Sequence, residues 1–421
     1  MAVELRGLVD LLSHHLYSSP RVYLRELMQN AVDALTARHR LEPAVPADTF
    51  GVRLYADGAV VRVEDDGIGL TLADVHIFLA TIGRSSKRAE RIAEQRGDYI
   101  GQFGIGLLSC FLVADEIHVL SRSARTPDAP AVEWRARGDG SYTVRTLPAS
   151  GRPRPGTTVT LTPRADAGEW TRPAQVHDLA RHFGSLLRHP VTFDDGEGGP
   201  GASVNPEPAP WARIYTTPGA RSRALAAYGE EVFGFTPLDT VELDLPAVGL
   251  KGIACVLPEA VPAGRRRGHR VHVKGMLLSE QAEEILPEWA FFVRCVVDAE
   301  SLRPTASRES LYEDDTLAAV RDALAERLRA RLAREQEGGL WGDILGALRQ
   351  EAPRAQLILN QLNPLVRTAV AIDEPELART SAEALYGQAV LLSRRPLRPA
   401  ESSLINRSFL DLLAHALRKD S

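Results

Sequence analysis

Hydrophobic and polar positions follow two different periods along this chain, and the switches between them predict its elements. RVYLRELMQNAVDALTAR (21–38) has no breaker, and Leu27, Ala31, Ala34 and Leu35 recur at helical spacing. Ser19 as N-cap and Pro20 at the first helical position would start that helix. GVRLYADGAVVRVEDDGIGL (51–70) changes to period two, which predicts two strands joined at Asp57-Gly58. On the second strand Val61, Val63 and Asp65 share one face, with Arg62 and Glu64 on the other. Gly101, Gly104 and Gly106 precede the apolar run Leu107–Val113, read as a glycine loop before a buried helix. TVELDLPAVGLKGIACVL (240–257) is strand-like again, and from 314 onward the pattern is almost wholly helical. Between these parts DDGEGGPGASVNPEPAP (194–210) reads as an exposed linker, with a weaker break at 335–339.

Composition narrows the class. The chain has 421 residues, 44% hydrophobic and 25% charged, which excludes wholesale disorder. It has no apolar run long enough to cross a membrane, and MAVELRGLVD lacks the layout of a signal peptide. Cys110, Cys255 and Cys295 are widely spaced in apolar surroundings, so neither a disulfide framework nor a zinc site is expected, and a cytoplasmic location is. A net charge of −5 gives no reason to expect nucleic acid as a partner.

Three constellations carry chemistry. On the first helix Glu26, Asn30 and Asp33 fall on one stripe; this is either a solvated face or a magnesium–nucleotide site. An amide oxygen suits Mg²⁺, and a neighbouring carboxylate can deprotonate an attacking water. Asp65 continues a core-facing row, where a lone carboxylate is costly and requires a donor, for which an adenine amino group would serve. Gly67 and Gly69 allow close backbone approach there. The amides of the glycine loop can cradle phosphates, and the polar, basic stretch 81–97 suits a lid over them.

RELMQNAVDAL, EDDGIGL, TIGRSSK and YIGQFGIGLLSCFLVAD together resemble the nucleotide-binding motifs of the heat shock protein 90 chaperones. The resemblance implies an α+β chain with an N-terminal Bergerat-type ATPase α/β sandwich, an α/β middle domain and a short helical C-terminal region. It implies a general base at Glu26, a Mg²⁺-binding amide at Asn30 and a pocket aspartate at Asp33. Asp65 would bind adenine, with Gly69 beside it and Thr157 of GTTVTL in support. Arg84 of the lid and the loop Gly101, Gln102, Phe103, Gly104, Ile105 and Gly106 would line the phosphates. Arg84 stands for the usual lysine and Leu107 for the usual aromatic residue.

The likeness continues through PAPWAR (208–213), residues 271–302 and RPTASRESL (303–311), which are similar to the chaperone middle domain. It implies that Arg308 reaches the γ-phosphate on closure. Thr305 and Tyr312 replace an asparagine and a glutamine of the family pattern. Residues 356–418 resemble the C-terminal pairing helices of the bacterial chaperone, so a compact variant with a shortened middle and C-terminal region is expected. The implied domains are 1–193 for ATP, a linker at 194–210, a middle domain at 211–340 and a dimerisation region at 341–421. The implied cofactors are ATP and Mg²⁺, and the implied partners are client proteins and a second copy, with no nucleic acid and no membrane. A sensor kinase would need a phospho-acceptor helix pair before the ATP domain, and a topoisomerase a cleavage domain with a catalytic tyrosine; neither is visible. The remaining rival is a nucleotide-sensing scaffold of the same fold with little hydrolysis.

Overall fold

The computed structural model describes residues 19–76, 106–126, 128–199, 201–258, 268–305, 310–334, 368–369, 371–372, 374–392, 404–412 and 415. Its contacts divide the chain into two units, residues 1–344 and 345–421.

The first unit contains two sheets. Helix α1 (Val22–Leu41) is followed by β1 (Val52–Ala56) and β2 (Val61–Asp65), a 3₁₀ segment at Gly106–Leu112, then β3 (Ala114–Arg122), β4 (Ala131–Arg137) and β5 (Tyr142–Leu147). Strand β6 (Gly156–Pro163), helix α2 (Pro173–Gly184), β7 (Val191–Asp194) and β8 (Ala202–Ser203) complete the first sheet, in the order β5-β4-β3-β6-β2-β1-β7-β8. Helix α1 lies against this sheet because its apolar stripe is continuous: Leu24, Leu27, Met28, Ala31 and Leu35 are all buried in one core with Val52, Leu54, Val61 and Val63.

Local chemistry moved three expected boundaries. Helix α1 starts at Val22 with Arg21 in the cap position and no side-chain cap; Ser19 Oγ accepts from Arg21 N, at 3.4 Å. The hairpin loop spans four residues, 57–60, because Asp57 Oδ1 accepts from both Ala59 N and Val60 N at 2.8 Å and turns the chain itself. After Gly106 the chain forms a seven-residue 3₁₀ segment where a buried helix was expected. Buried Leu108, Cys110 and Phe111 still anchor it in the core. The stretch 194–210 is not wholly exposed: β8 pairs with β7, and Val204 is buried.

Helix α3 (Pro218–Phe233) precedes β9 (Thr240–Leu245), β10 (Leu250–Val256), β11 (Arg270–Val273), β12 (Met276–Ser279) and β13 (Val293–Ala299). These strands form the second sheet, ordered β12-β11-β13-β10-β9, and α4 (Asp315–Arg334) follows. The β11–β12 turn seats this sheet on the first. Lys274 and Gly275 take positive φ, and a Cβ at Gly275 would stand 2.5 Å from Leu186 O. Met276 and Leu277 are buried in the first sheet's core, and Arg188 pairs with Glu300. In the arginine-rich run 265–270, His269 is buried, and 259–267 lie outside the described residues.

In the second unit α5 (Pro375–Leu392) and a helical stretch at 404–412 pack through Gly387, where a Cβ would meet Ile405 Cγ1 at 2.7 Å. Phe409 and Leu410 are 63% and 61% exposed.

Candidate nucleotide site

The end of β2 builds one half of the site. Alternation along β2 turns Asp65 inward, and it is 6% exposed. Its Oδ1 accepts from Gly67 N at 2.8 Å and from Thr157 N at 3.2 Å. Asp65 and Thr157 are register partners across β2 and β6. No hydrogen bond from the described residues reaches Oδ2. Burial raises the Asp65 pKa to about 7, against the opposing pull of the two amides and of Arg152.

The glycines after Asp65 answer to the fold itself. Gly69 has φ +64°, and a Cβ there would lie 2.0 Å from Arg122 O. A Cβ on Gly67 would lie 2.4 Å from Ala34 Cβ, and Ile68 N donates to Ala34 O at 2.9 Å. The turn therefore docks on α1 next to Asp33, which is half-buried.

Helix α1 builds the other half. Glu26 is fully buried, Asp33 is intermediate and Asn30 is exposed, so the expected stripe runs from core to surface. A Cβ on Gly106 would stand 2.2 Å from Glu26 Oε2, and Arg25 Nη2 lies 3.5 Å from Glu26 Oε1. Gly106 thus meets the carboxylate of Glu26 directly. Arg25 and Gln29 also line a crevice with Met276, Leu277 and Pro304 of the second sheet's side. Pro304 bridges to Leu311, and Thr305 N donates to Ser310 O at 2.9 Å. Arg308, Arg84, Gly101, Gln102, Phe103, Gly104 and Ile105 lie outside the described residues.

Two residues at the Asp65 end had not been singled out. Ser121 Oγ accepts from Leu70 N at 2.8 Å and meets Thr157 Oγ1 at 2.9 Å. Its inward position after Ile117 and Val119 on β3 was readable from the alternation. Arg152 is buried against the same strand pair, and its Arg-Pro-rich surroundings gave no sign of it.

The strand-end acid held by main-chain amides and the helix carboxylate against a glycine both fall in a stretch that matches an ATPase family model. The model described as histidine kinase-, DNA gyrase B- and HSP90-like ATPase matches residues 17–151, and the Hsp90 protein model matches 261–337. The chain belongs to the heat shock protein 90 family. The chaperone protein HtpG of Methylobacterium sp. (strain 4-46) is 33% identical over 367 residues, covering 78% of this chain and 55% of the relative. That of Methylobacterium nodulans is 35% identical over 356 residues with the same coverage, and that of Geobacter metallireducens 27% over 377 residues, 79% of this chain and 57% of the relative. The chain thus spans little more than half the length of these relatives. No helix among the described residues is long and apolar enough to cross a membrane.

Proposed function

We propose that this chain is a Mg²⁺-dependent ATPase that works as an ATP-driven clamp on protein clients; its HtpG relatives are named chaperone proteins. The observation that carries the reading is Asp65: a buried acid with one oxygen held by main-chain amides and the other left to accept from an adenine amino group. Among the described residues no cluster of three His, Cys, Asp or Glu side chains could hold a metal. A magnesium ion would be bound through the nucleotide phosphates, with the Asn30 amide oxygen as a hard protein donor. When bound it supplies charge neutralisation at the phosphates. Glu26 takes the proton of the attacking water, and Arg308 stabilises the charge that develops on the transferred phosphoryl group. Arg84 and the loop 101–106 enclose the phosphates.

In the present conformation Glu26 is fully buried and 3.5 Å from Arg25, so water must be admitted before it acts. That burial also favours the second reading, a scaffold that binds nucleotide and hardly hydrolyses it. Steady-state phosphate release beside a nucleotide titration separates the two. Mg²⁺-dependent turnover that Glu26→Ala abolishes supports the ATPase; binding without turnover supports the scaffold; absence of binding overturns both.

The partners follow from the same reading: client proteins, and a second copy engaged through 356–421. Phe409 and Leu410, both more than half exposed, are suited to such a contact. Light scattering at micromolar concentration is expected to give a dimer mass, and a monomer mass with and without an ATP analogue removes the pairing. The domain limits 1–193, 194–210, 211–340 and 341–421 are part of the proposal.

A further inference from the structure

The loop between β5 and β6 contains GRPRPG, a composition typical of solvent, yet its Arg152 is only 7% exposed. Burying a guanidinium is costly unless its donors are met, so its position requires a reason. The donors are met by one strand junction. Nε donates to Gly156 O at 2.9 Å, Nη2 donates to the main-chain oxygen of Asp65 at 3.1 Å, and Nη1 donates to Thr158 Oγ1. These acceptors belong to the last residue of β2 and to the start of β6, on either side of the Asp65–Thr157 register pair. The junction is unusually close. Gly156 has φ +124°, and a Cβ there would lie 2.1 Å from Asp65 O and 3.1 Å from Arg152 Nη2. A second set of groups surrounds the guanidinium: Glu64 Oε1 at 3.8 Å, the carboxylates of Asp65 and Asp66, and the opposing cation Arg53.

We infer that Arg152 is a positioning residue for the nucleotide base: it clamps the end of β2 to β6, so that the Asp65 carboxylate keeps one orientation and gives up its proton more readily as a purine amino group approaches. This rests on the nucleotide-binding reading above. Two contributions are involved and they are separable. The planar fork sets where Asp65 sits, and only arginine supplies it. The positive charge favours the ionised acid, and a lysine supplies most of that as well. The charged groups that face Asp65 are Arg152 and Asp66, of opposite sign, and the remaining partners are the amides of Gly67 and Thr157. Removing the cation leaves Asp66 to push the pKa of Asp65 further upward.

The test titrates ADP into the full chain between pH 6 and 8.5, for the wild type, Arg152→Met, Arg152→Lys and Asp65→Asn, with circular dichroism melts of each. Wild-type affinity should rise with pH, with a midpoint near the Asp65 value of about 7. Arg152→Met should weaken binding at pH 7 on the order of tenfold, the scale of a lost charged hydrogen bond, and move the midpoint to higher pH. Arg152→Lys should weaken it less and keep the wild-type midpoint. Wild-type affinity and midpoint in Arg152→Met overturn the inference. If Arg152→Met does not fold, Arg152→Lys decides: unchanged affinity overturns it. Failure of the nucleotide reading looks different, since ADP then binds no variant or binds Asp65→Asn as well as the wild type.

Discussion

The two ends of the proposed nucleotide site are built by opposite strategies. At the Asp65 end the contacts come from paired strands and from the turn that follows β2: Gly67 N and Thr157 N hold the carboxylate, and Ser121 Oγ meets Thr157 Oγ1 behind it. At the Glu26 end the acid rides on a helix, fully buried, with Gly106 against one oxygen and Arg25 near the other. The first end is preorganised to bind and loses little on doing so. The second must be rearranged before its carboxylate meets water. Binding and turnover should therefore separate cleanly under mutation, because they depend on different kinds of structure.

The largest effects test that separation directly. Asp65→Asn should abolish detectable binding, since the amide cannot supply two acceptor oxygens and carries no charge. Glu26→Ala should keep ATP affinity within a few-fold while turnover falls by two orders of magnitude or more, roughly the contribution of a general base. Calorimetric titration and phosphate release measure both. If the two variants fail in the same way, the ends are not distinct.

A smaller effect sharpens the comparison. Gly106→Ala adds a methyl group 2.2 Å from Glu26 Oε2, and the yielding atom is the far end of a side chain. The carboxylate should move by about an ångström, which costs on the order of a hundredfold in kcat when a reacting group is misplaced. ADP affinity should change only a few-fold. A loss of affinity as large as the loss of kcat would show that Gly106 serves the phosphates rather than the base.

How much of this was legible in the sequence depended on whether the cause was local. Period two put Asp65 on the inward face, and the helical period put Glu26, Asn30 and Asp33 on one stripe; both hold in the structure. The graded burial of that stripe was hidden, because it is set by the distant segment at Gly106. The hairpin loop was misjudged because Asp57 replaces a two-residue turn with its own side-chain bonds to Ala59 and Val60. Gly69 was credited to ligand approach, whereas the Arg122 carbonyl already demands it. Arg152 was invisible because the acceptor that ties it to the site, the main-chain oxygen of Asp65, lies 87 residues away on another strand. The family resemblance carried the roles of Arg84, Arg308 and the loop 101–105, which lie outside the described residues.

The smallest expected effect comes from pH and sets folding against binding at a single residue. Burial raises the Asp65 pKa from its ordinary value of 3.8 to about 7, so between those values the folded empty chain binds a proton that the unfolded chain has released. Stability from this group is therefore full at low pH and is lost as pH rises toward 7. Nucleotide affinity has the opposite sign, because the adenine amino group needs the ionised acid; from pH 6 to pH 8 it should rise by about tenfold. Other groups tilt the melting curve in the same range. His269 and His272 have burial-lowered pKa values of about 4 and about 3, so they stabilise as pH rises toward 6.5, against Asp65. The informative quantity is thus the melting temperature of the wild type minus that of Asp65→Asn, measured without nucleotide from pH 5 to 8. The histidines cancel in that difference, which should fall steadily and level off above pH 7. A flat difference would mean that Asp65 is already ionised in the empty site, and the preorganised end would then hold a ready charge as well as a ready geometry.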